Sequence, residues 1–139
     1  MPSEKPERRV SKKEAAQRQI HAAIELLRTK NEYECAITLA NAAEGMLSGG
    51  EPRHLFEKFK ERRPQDMGSE REFTNWLNET AYWLKHATEH LEDERIITEY
   101  ESWVMVARAV SKYYWTFGET TRSMFEFSDF WKKIKLNEG

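Results

Sequence analysis

The feature that most constrains the fold is a long apolar periodicity in the second half of the chain. Apolar residues recur there at alternating steps of four and three, namely Ile96, Tyr100, Trp103, Ala107, Val110, Tyr114 and Phe117. This spacing places them on one side of an α-helix, and a seam of that length is typical of a helix that packs along another helix. Gly118 is expected to end this helix, because glycine readily adopts the left-handed conformation of a C-cap.

Further segments with the same kind of pattern predict an all-α fold, a bundle of about five to six helices. The first of the other expected helices covers 11–30, and the second is capped by Asn31 and ended by Ser48-Gly49-Gly50. A short helix is expected at 52–63, a longer one from 69 to about 87, and a last helix that starts at Thr120 or Thr121. Three of these starts carry a Ser or Asn followed three residues later by Glu. This is the capping-box pattern, which satisfies free backbone N–H groups at a helix start.

The length of 139 residues fits one helical domain over 11–139, preceded by a lead-in at 1–10 that we expect to be disordered. The net charge of −2 does not demand nucleic acid or an acidic membrane as partner. No apolar run approaches the roughly 20 residues that span a bilayer, and the charged N-terminus lacks the apolar core of a secretory signal. The single Cys35 excludes an intrachain disulfide and suits a reducing compartment. We therefore expect a cytoplasmic protein with no membrane partner.

Aromatic residues are numerous for a chain of this size, with five Trp, five Tyr and seven Phe. One small bundle is not expected to bury them all, and an apolar patch on a surface usually marks an interface. We therefore expect a homodimer. The aromatic stripe of Trp103, Tyr114, Trp115 and Phe117 is interpreted as core or dimer seam, since a base-stacking platform usually has basic residues beside it.

Residues 86–90 match the pattern His-x-x-Glu-His. On one helix face two histidines four residues apart can bind zinc, with the glutamate as general base. No third ligand is apparent, although Glu94 and Glu99 are nearby, and the acidic turn after His90 interrupts a continuous helix. Two partly exposed histidines at a helix end are the favoured interpretation, so we expect no metal and no other cofactor.

Two polar residues and one cysteine need an explanation in the largely apolar second helix. Asn41 and Glu44 are expected at its exposed edge or in a hydrogen bond to a neighbouring helix, since helical faces normally include such residues. Cys35 lies near the helix start, where the dipole can lower the pKa of a thiol. A small buried filler is the favoured interpretation of this cysteine.

The segment 77–86, LNETAYWLKH, resembles the signature helix of HEPN-type domains, the helical domains named for higher eukaryotes and prokaryotes nucleotide-binding. The hairpin at 23–47, AIELLRTKNEYECAITLANAAEGML, also resembles the opening helices of small bacterial proteins of this kind. The order of elements agrees over about residues 15–120: a hairpin, a helix ending in Lys-His, an acidic turn, and a long helix ending in Gly-Glu. The resemblance implies an up-and-down helical core and a homodimer.

In that family an Arg, four to six residues and a His form a motif, and two copies meet across a dimer to cut RNA without metal. The His can transfer a proton, and the Arg can stabilise the charged phosphorane. Here His86 matches the family His, but the Arg position five residues earlier is Ala81. Lys85 is a poor substitute, because neighbouring residues on a helix point about 100° apart.

The sequence therefore predicts a catalytically degenerate HEPN-like dimer that acts as a binding or regulatory module, in a toxin–antitoxin or phage-defence setting. Its partner would be a protein or RNA. The residues expected to contribute to binding are Asn78, Lys85, His86 and His90, with His86 as a remnant of the catalytic pair. The alternatives are an active metal-independent ribonuclease that uses His86, and a zinc-dependent hydrolase that uses His86 and His90.

Overall fold

The computed structural model describes residues 5–48, 68–86 and 90–133, and five α-helices account for most of them, without any strand in these ranges. The helices are α1 (Lys12–Lys30), α2 (Tyr33–Gly45), α3 (Glu70–Lys85), α4 (Glu99–Phe117) and α5 (Arg122–Lys133). The predicted all-α bundle is confirmed. The short helix expected at 52–63 and the glycine pair at 49–50 lie outside the described residues.

Several helix ends lie where the sequence places them. Ser11 caps α1, and its side chain accepts a hydrogen bond from the backbone N–H of Glu14. Ser69 and Glu72 form the full capping box at the start of α3. Gly118 follows α4 as a left-handed C-cap with φ of 71°, a conformation that costs glycine little.

Other helix ends differ from the prediction. Asn31 does not cap α2. It is the left-handed C-cap of α1, with φ of 53°, and its N–H bonds to the carbonyl of Leu26. Asparagine tolerates this conformation better than most residues, so it ends a helix here and does not begin one. Helix α2 ends at Gly45, before the serine and glycines at 48–50, and α3 ends at Lys85 and not at 87.

The start of α4 is also later than the apolar period suggests. Thr98 is the N-cap, and it forms a capping box with Glu101. Ile96 therefore precedes the helix, and its side chain is 82% exposed. An apolar residue in register with a helical pattern need not belong to the helix when a strong capping pair lies just after it.

Helix α4 forms the centre of the bundle. It packs against both α1 and α2, α1 packs against α2 and α5, and α3 packs against α2. Every residue of α4 from Tyr100 to Ala107 is buried. A helix buried on all sides is an interior element, whereas the heptad seam predicts burial along one stripe only.

The seam prediction is right for most of α4, including Phe117, which packs partly buried against the core, and it is wrong at Ile96 and Tyr114. Tyr100, Trp103, Ala107 and Val110 are buried, but Tyr114 is 47% exposed. Trp103 stacks on Phe127 of α5 with ring centroids 5.0 Å apart. The aromatic residues of α4 therefore divide between the core and, with Tyr114 and Trp115, the surface.

Candidate functional site

His86, the residue expected to carry chemistry, is the C-cap of α3. Its side chain is exposed. Its Nδ1 lies 2.9 Å from the carbonyl oxygen of Tyr82, and the two rings stack with centroids 3.8 Å apart. Both contacts are to the preceding turn of the same helix, so α3 itself positions the imidazole at its end. Lys85 is exposed beside it.

Ala81, which the resemblance aligns with the arginine of the HEPN motif, faces the core. Its residual exposure is 6%, and it belongs to the apolar cluster formed by the helices. A long cation at this position would have to displace packed apolar side chains, which is costly without a buried partner. Position 81 thus provides no cation. Its side chain faces packed apolar residues, where a cation would be unfavourable.

Asn78 is joined to an ion pair that connects three helices. Its Oδ1 accepts a hydrogen bond of 2.9 Å from Nη1 of Arg108 on α4. The Nε of the same guanidinium bonds to Oε2 of Glu44 on α2. Glu44 and Arg108 retain only 17% and 13% side-chain exposure, so the pair is largely removed from solvent. The hydrogen bond to a neighbouring helix, one of the two roles expected for Glu44, is confirmed.

The four expected binding residues do not form one cluster. Asn78 and His86 lie eight residues apart on α3, about 12 Å along a helix axis. His90 is exposed and lies outside any helix. His86 and His90 therefore do not lie together on one helix face. Within the described ranges, no group of three His, Cys, Asp or Glu side chains could bind a metal ion.

Cys35 is exposed and not a buried filler, which corrects the sequence-based interpretation. The pKa of its thiol is raised above the ordinary value, first by partial desolvation and then by the nearby carboxylates of Glu34 and Glu32. Desolvation and the two acidic neighbours therefore act in the same direction on this thiol. A raised pKa disfavours the thiolate, which is the reactive form.

An interior polar cluster, which the sequence analysis missed, consists of Thr80, Arg95, Thr98 and Glu101. Glu101 is fully buried. Its Oε1 accepts from the Thr80 hydroxyl at 2.9 Å, and its Oε2 accepts from the backbone N–H and the hydroxyl of Thr98 at 2.8 and 3.0 Å. The Nε of Arg95 donates to the Thr80 oxygen at 2.8 Å. Every carboxylate oxygen is therefore hydrogen-bonded, as a buried charge requires.

Arg95, shortly before α4, also contacts the outside of α3. Its guanidinium carbon lies 3.7 Å from the centroid of the Trp76 ring, and its Nη2 donates to the Trp76 carbonyl at 3.2 Å. One sequence signal for this cluster was available, because Thr98 and Glu101 have the capping-box spacing. Nothing in the sequence indicates that Thr80 would meet them.

A second set of contacts fastens α1 to the end of α4 and the start of α5. Lys13, Gln17 and His21 follow one stripe of α1 at intervals of four residues. Lys13 contacts the carboxylate of Glu119, and Gln17 donates to the hydroxyl of Tyr113. His21 contacts the hydroxyl of Thr121, and all three distances are 2.8 Å. Each pair is separated by roughly 100 residues, so a local pattern could not have indicated it.

No protein-family model matches this chain, and no curated protein or solved structure does so either. None of the helices described is both long and apolar enough to cross a membrane.

Proposed function

We propose that the chain is a HEPN-like helical module without nuclease activity that works as a homodimer and binds or regulates a partner. The observation that carries this proposal is the burial of Ala81. The motif needs a cation near the histidine, and here its position is occupied by a methyl group that packs into the core. A fixed cation typically contributes about 10²–10³-fold by stabilising charge that develops in the transition state.

The position of His86 agrees with a remnant of such a site. The imidazole is exposed at the end of α3, where a partner could contact it. Its ring is ordered by Tyr82 and by a backbone carbonyl, and neither group supplies positive charge. A histidine alone can move a proton, but without a group that positions the phosphate little of that rate enhancement is realised.

Exposed apolar side chains support the dimer. Large side chains with at least two-fifths of their surface accessible occur on α3, in the segment before α4, at the end of α4 and on α5. They are Trp76, Tyr82, Leu91, Ile96, Tyr114, Trp115, Phe125 and Phe130. An interface with a second copy would cover such side chains. A cytoplasmic setting and a protein or RNA partner belong to the same proposal.

A ribonuclease assay tests the catalytic part. The purified chain is incubated with mixed single-stranded RNA in EDTA, beside His86→Ala and beside Lys30→Ala, a variant of an exposed cation at the end of α1. We expect no cleavage above background from any of the three proteins. Robust cleavage that disappears in His86→Ala and persists in Lys30→Ala would replace this proposal with an active metal-independent ribonuclease.

Sedimentation equilibrium tests the dimer. We expect the mass of two chains at micromolar concentration. A monomer across that range would remove the dimer from the proposal.

Stoichiometric zinc in protein purified without added metal, lost in His90→Ala, would instead support a zinc-dependent hydrolase.

A further inference from the structure

A groove with a volume of about 430 Å³ lies between α1 and the beginning of α5. It is separate from the residues of α3 discussed above. Its walls are formed by six side chains, namely His21, Ile24, Glu25, Arg28, Thr29 and Ser123. Five of the six are polar, and they include one acidic and one basic side chain. This mixture is informative about what the groove can bind.

Arg28 is prearranged for an anionic group. Its guanidinium carbon lies 4.3 Å from the centroid of the Phe130 ring, and Phe130 stacks in turn on Trp103, with centroids 5.7 Å apart. Trp103 is buried in the core, so the guanidinium rests on a rigid aromatic stack. Stacking uses the face of the guanidinium and leaves its N–H edges available for a carboxylate.

Glu25 adds the opposite charge on the same wall. Residues three apart are neighbours on a helix surface, with Cβ atoms about 5–6 Å apart. Even so, Glu25 and Arg28 form no salt bridge with each other or with any other residue in the part of the chain that the structure describes. The groove therefore contains one positive and one negative group side by side, and neither is neutralised by a protein partner there.

The remaining polar groups are neutral hydrogen-bonding groups. The Nε2 of His21 lies 2.8 Å from the Thr121 hydroxyl, and burial lowers the pKa of the imidazole, which keeps the ring uncharged at neutral pH. Thr29 and Ser123 contribute hydroxyls. Ser123 lies in the first turn of α5, the end of a helix that attracts negative charge.

We propose that this groove binds a small zwitterion of the α-amino-acid class with a polar side chain. The carboxylate pairs with Arg28, the ammonium group pairs with Glu25, and the side chain bonds to His21, Thr29 or Ser123. A purely anionic ligand such as phosphate would face Glu25, and a simple amine would face Arg28. An α-amino acid carries both charges on one carbon, so it matches two opposite charges on adjacent helical positions.

Isothermal titration of the full chain with each of the twenty standard L-amino acids tests the proposal. We expect at least one to bind with a Kd below about 1 mM. Arg28→Gln and Glu25→Gln should each weaken that binding by about tenfold or more. Both side chains are exposed, so the variants should fold. Arg18→Gln, which changes an exposed arginine elsewhere on α1, should bind like the parent chain.

Analogues that lack one charge distinguish a zwitterion site from an anion site. For L-glutamine the matched probes are glutaramate, without the α-ammonium group, and 4-aminobutanamide, without the carboxylate. We expect each to bind more weakly than the amino acid, and Glu25→Gln to improve glutaramate relative to L-glutamine. The absence of binding by all twenty amino acids at about 10 mM would overturn the proposal. Equal binding of inorganic phosphate and the amino acid, unaffected by Glu25→Gln, would also overturn it.

Discussion

Helix α3 carries polar side chains of two kinds. One kind contacts other parts of the chain, and the other contacts only α3 itself. Thr80 belongs to the interior polar cluster, whose hydrogen bonds join α3 to Arg95 and to Glu101 of α4. His86, six residues later, bonds to the carbonyl and stacks on the ring of Tyr82 in the last turn of the same helix. The first kind of contact exists only when the helices are assembled, whereas the second needs α3 alone.

This difference should separate effects on stability from effects on the proposed partner binding. Side chains that join elements contribute to the free energy of unfolding, because their partners are lost when the chain unfolds. Side chains that contact only their own turn contribute little to it and stay accessible to a partner. Substitutions in the interior polar cluster should therefore lower stability and have little effect on partner binding. Substitutions at the end of α3 should weaken partner binding and have little effect on stability.

The largest effect on the free energy of unfolding is expected from substitutions in the hydrophobic core. Val110→Asp would place an unpaired carboxylate at a position that is 1% exposed. Trp103→Ala would remove a ring that stacks on two phenylalanines of α5 and packs at a tilt against Trp131. Each should lower the free energy of unfolding by about 3–5 kcal/mol. Urea denaturation followed by circular dichroism would measure the change. An unchanged midpoint in both variants would contradict the central position of α4.

Glu101→Ala should have the next largest effect. It removes the acceptor of the partly buried Thr98 N–H, and it leaves the Thr80 hydroxyl with the Trp76 carbonyl at 3.1 Å as its remaining acceptor. We expect a loss of about 3 kcal/mol, since the hydrogen bonds involve a charged group and their partners stay desolvated. Glu101→Gln is the matched control, because it keeps the shape and one acceptor oxygen, and it should lose clearly less. Equal stability of the alanine variant and the parent chain would show that water replaces the carboxylate.

Arg95→Ala should cost less, about 1–2 kcal/mol. The guanidinium stacks on Trp76, which is itself partly exposed, and donates to Thr80. Arg95→Lys keeps the charge but not the planar stacking surface, so it should recover only part of the loss. Tryptophan fluorescence should change with both variants. Full recovery of stability by lysine would mean that charge alone matters at this position.

Much of the fold could be predicted because its signals are local. The capping pairs at Ser11 and Ser69 and the glycine at 118 mark helix ends through atoms within a few residues. Asn31 departs from the prediction because asparagine suits both an N-cap and a left-handed C-cap. Ile96 was misassigned because its apolar character agrees with the helical period even though Thr98 begins the helix.

The candidate site was less predictable because, apart from His86, its polar side chains have partners that are distant in the sequence. The sequence identified His86 through a resemblance in the residues around it, and the structure gives that residue only contacts within its own turn. The partnership of Glu44 with Arg108 spans 64 residues, and that of His21 with Thr121 spans 100. The pairing of such residues depends on how the helices pack, which periodicity does not specify.

Titration of His21 should make the free energy of unfolding depend on pH. The effect should be smaller than those of the substitutions above. Burial lowers its pKa in the folded chain below the ordinary value of 6.5. Between the two pKa values the unfolded chain binds more protons, so protonation favours unfolding. The stability is fully present above about pH 6.5 and falls as the pH drops toward the folded pKa.

Thermal melts of the parent chain and His21→Gln at about pH 7.5 and 5.5 would measure this contribution. The parent should lose more in Tm on acidification than the variant, because glutamine does not titrate. The difference should be modest, since His21 remains partly exposed and solvent screens its charge. An identical pH dependence of both proteins would show that the groove does not perturb this imidazole.

The smallest effect is expected at His86 itself. His86→Ala removes a hydrogen bond and a ring contact that both lie within the last turn of α3. The side chain is exposed, so no buried group is left unpaired, and the change in unfolding free energy should stay within about 0.5 kcal/mol. If the end of α3 contacts a partner, the same variant should alter dimer formation or partner binding without altering the melt. Sedimentation and thermal denaturation of one His86→Ala sample would measure both properties. A loss of stability comparable to that of Arg95→Ala would mean that the end of α3 is part of the packed structure, and the contrast with the interior polar cluster would not hold.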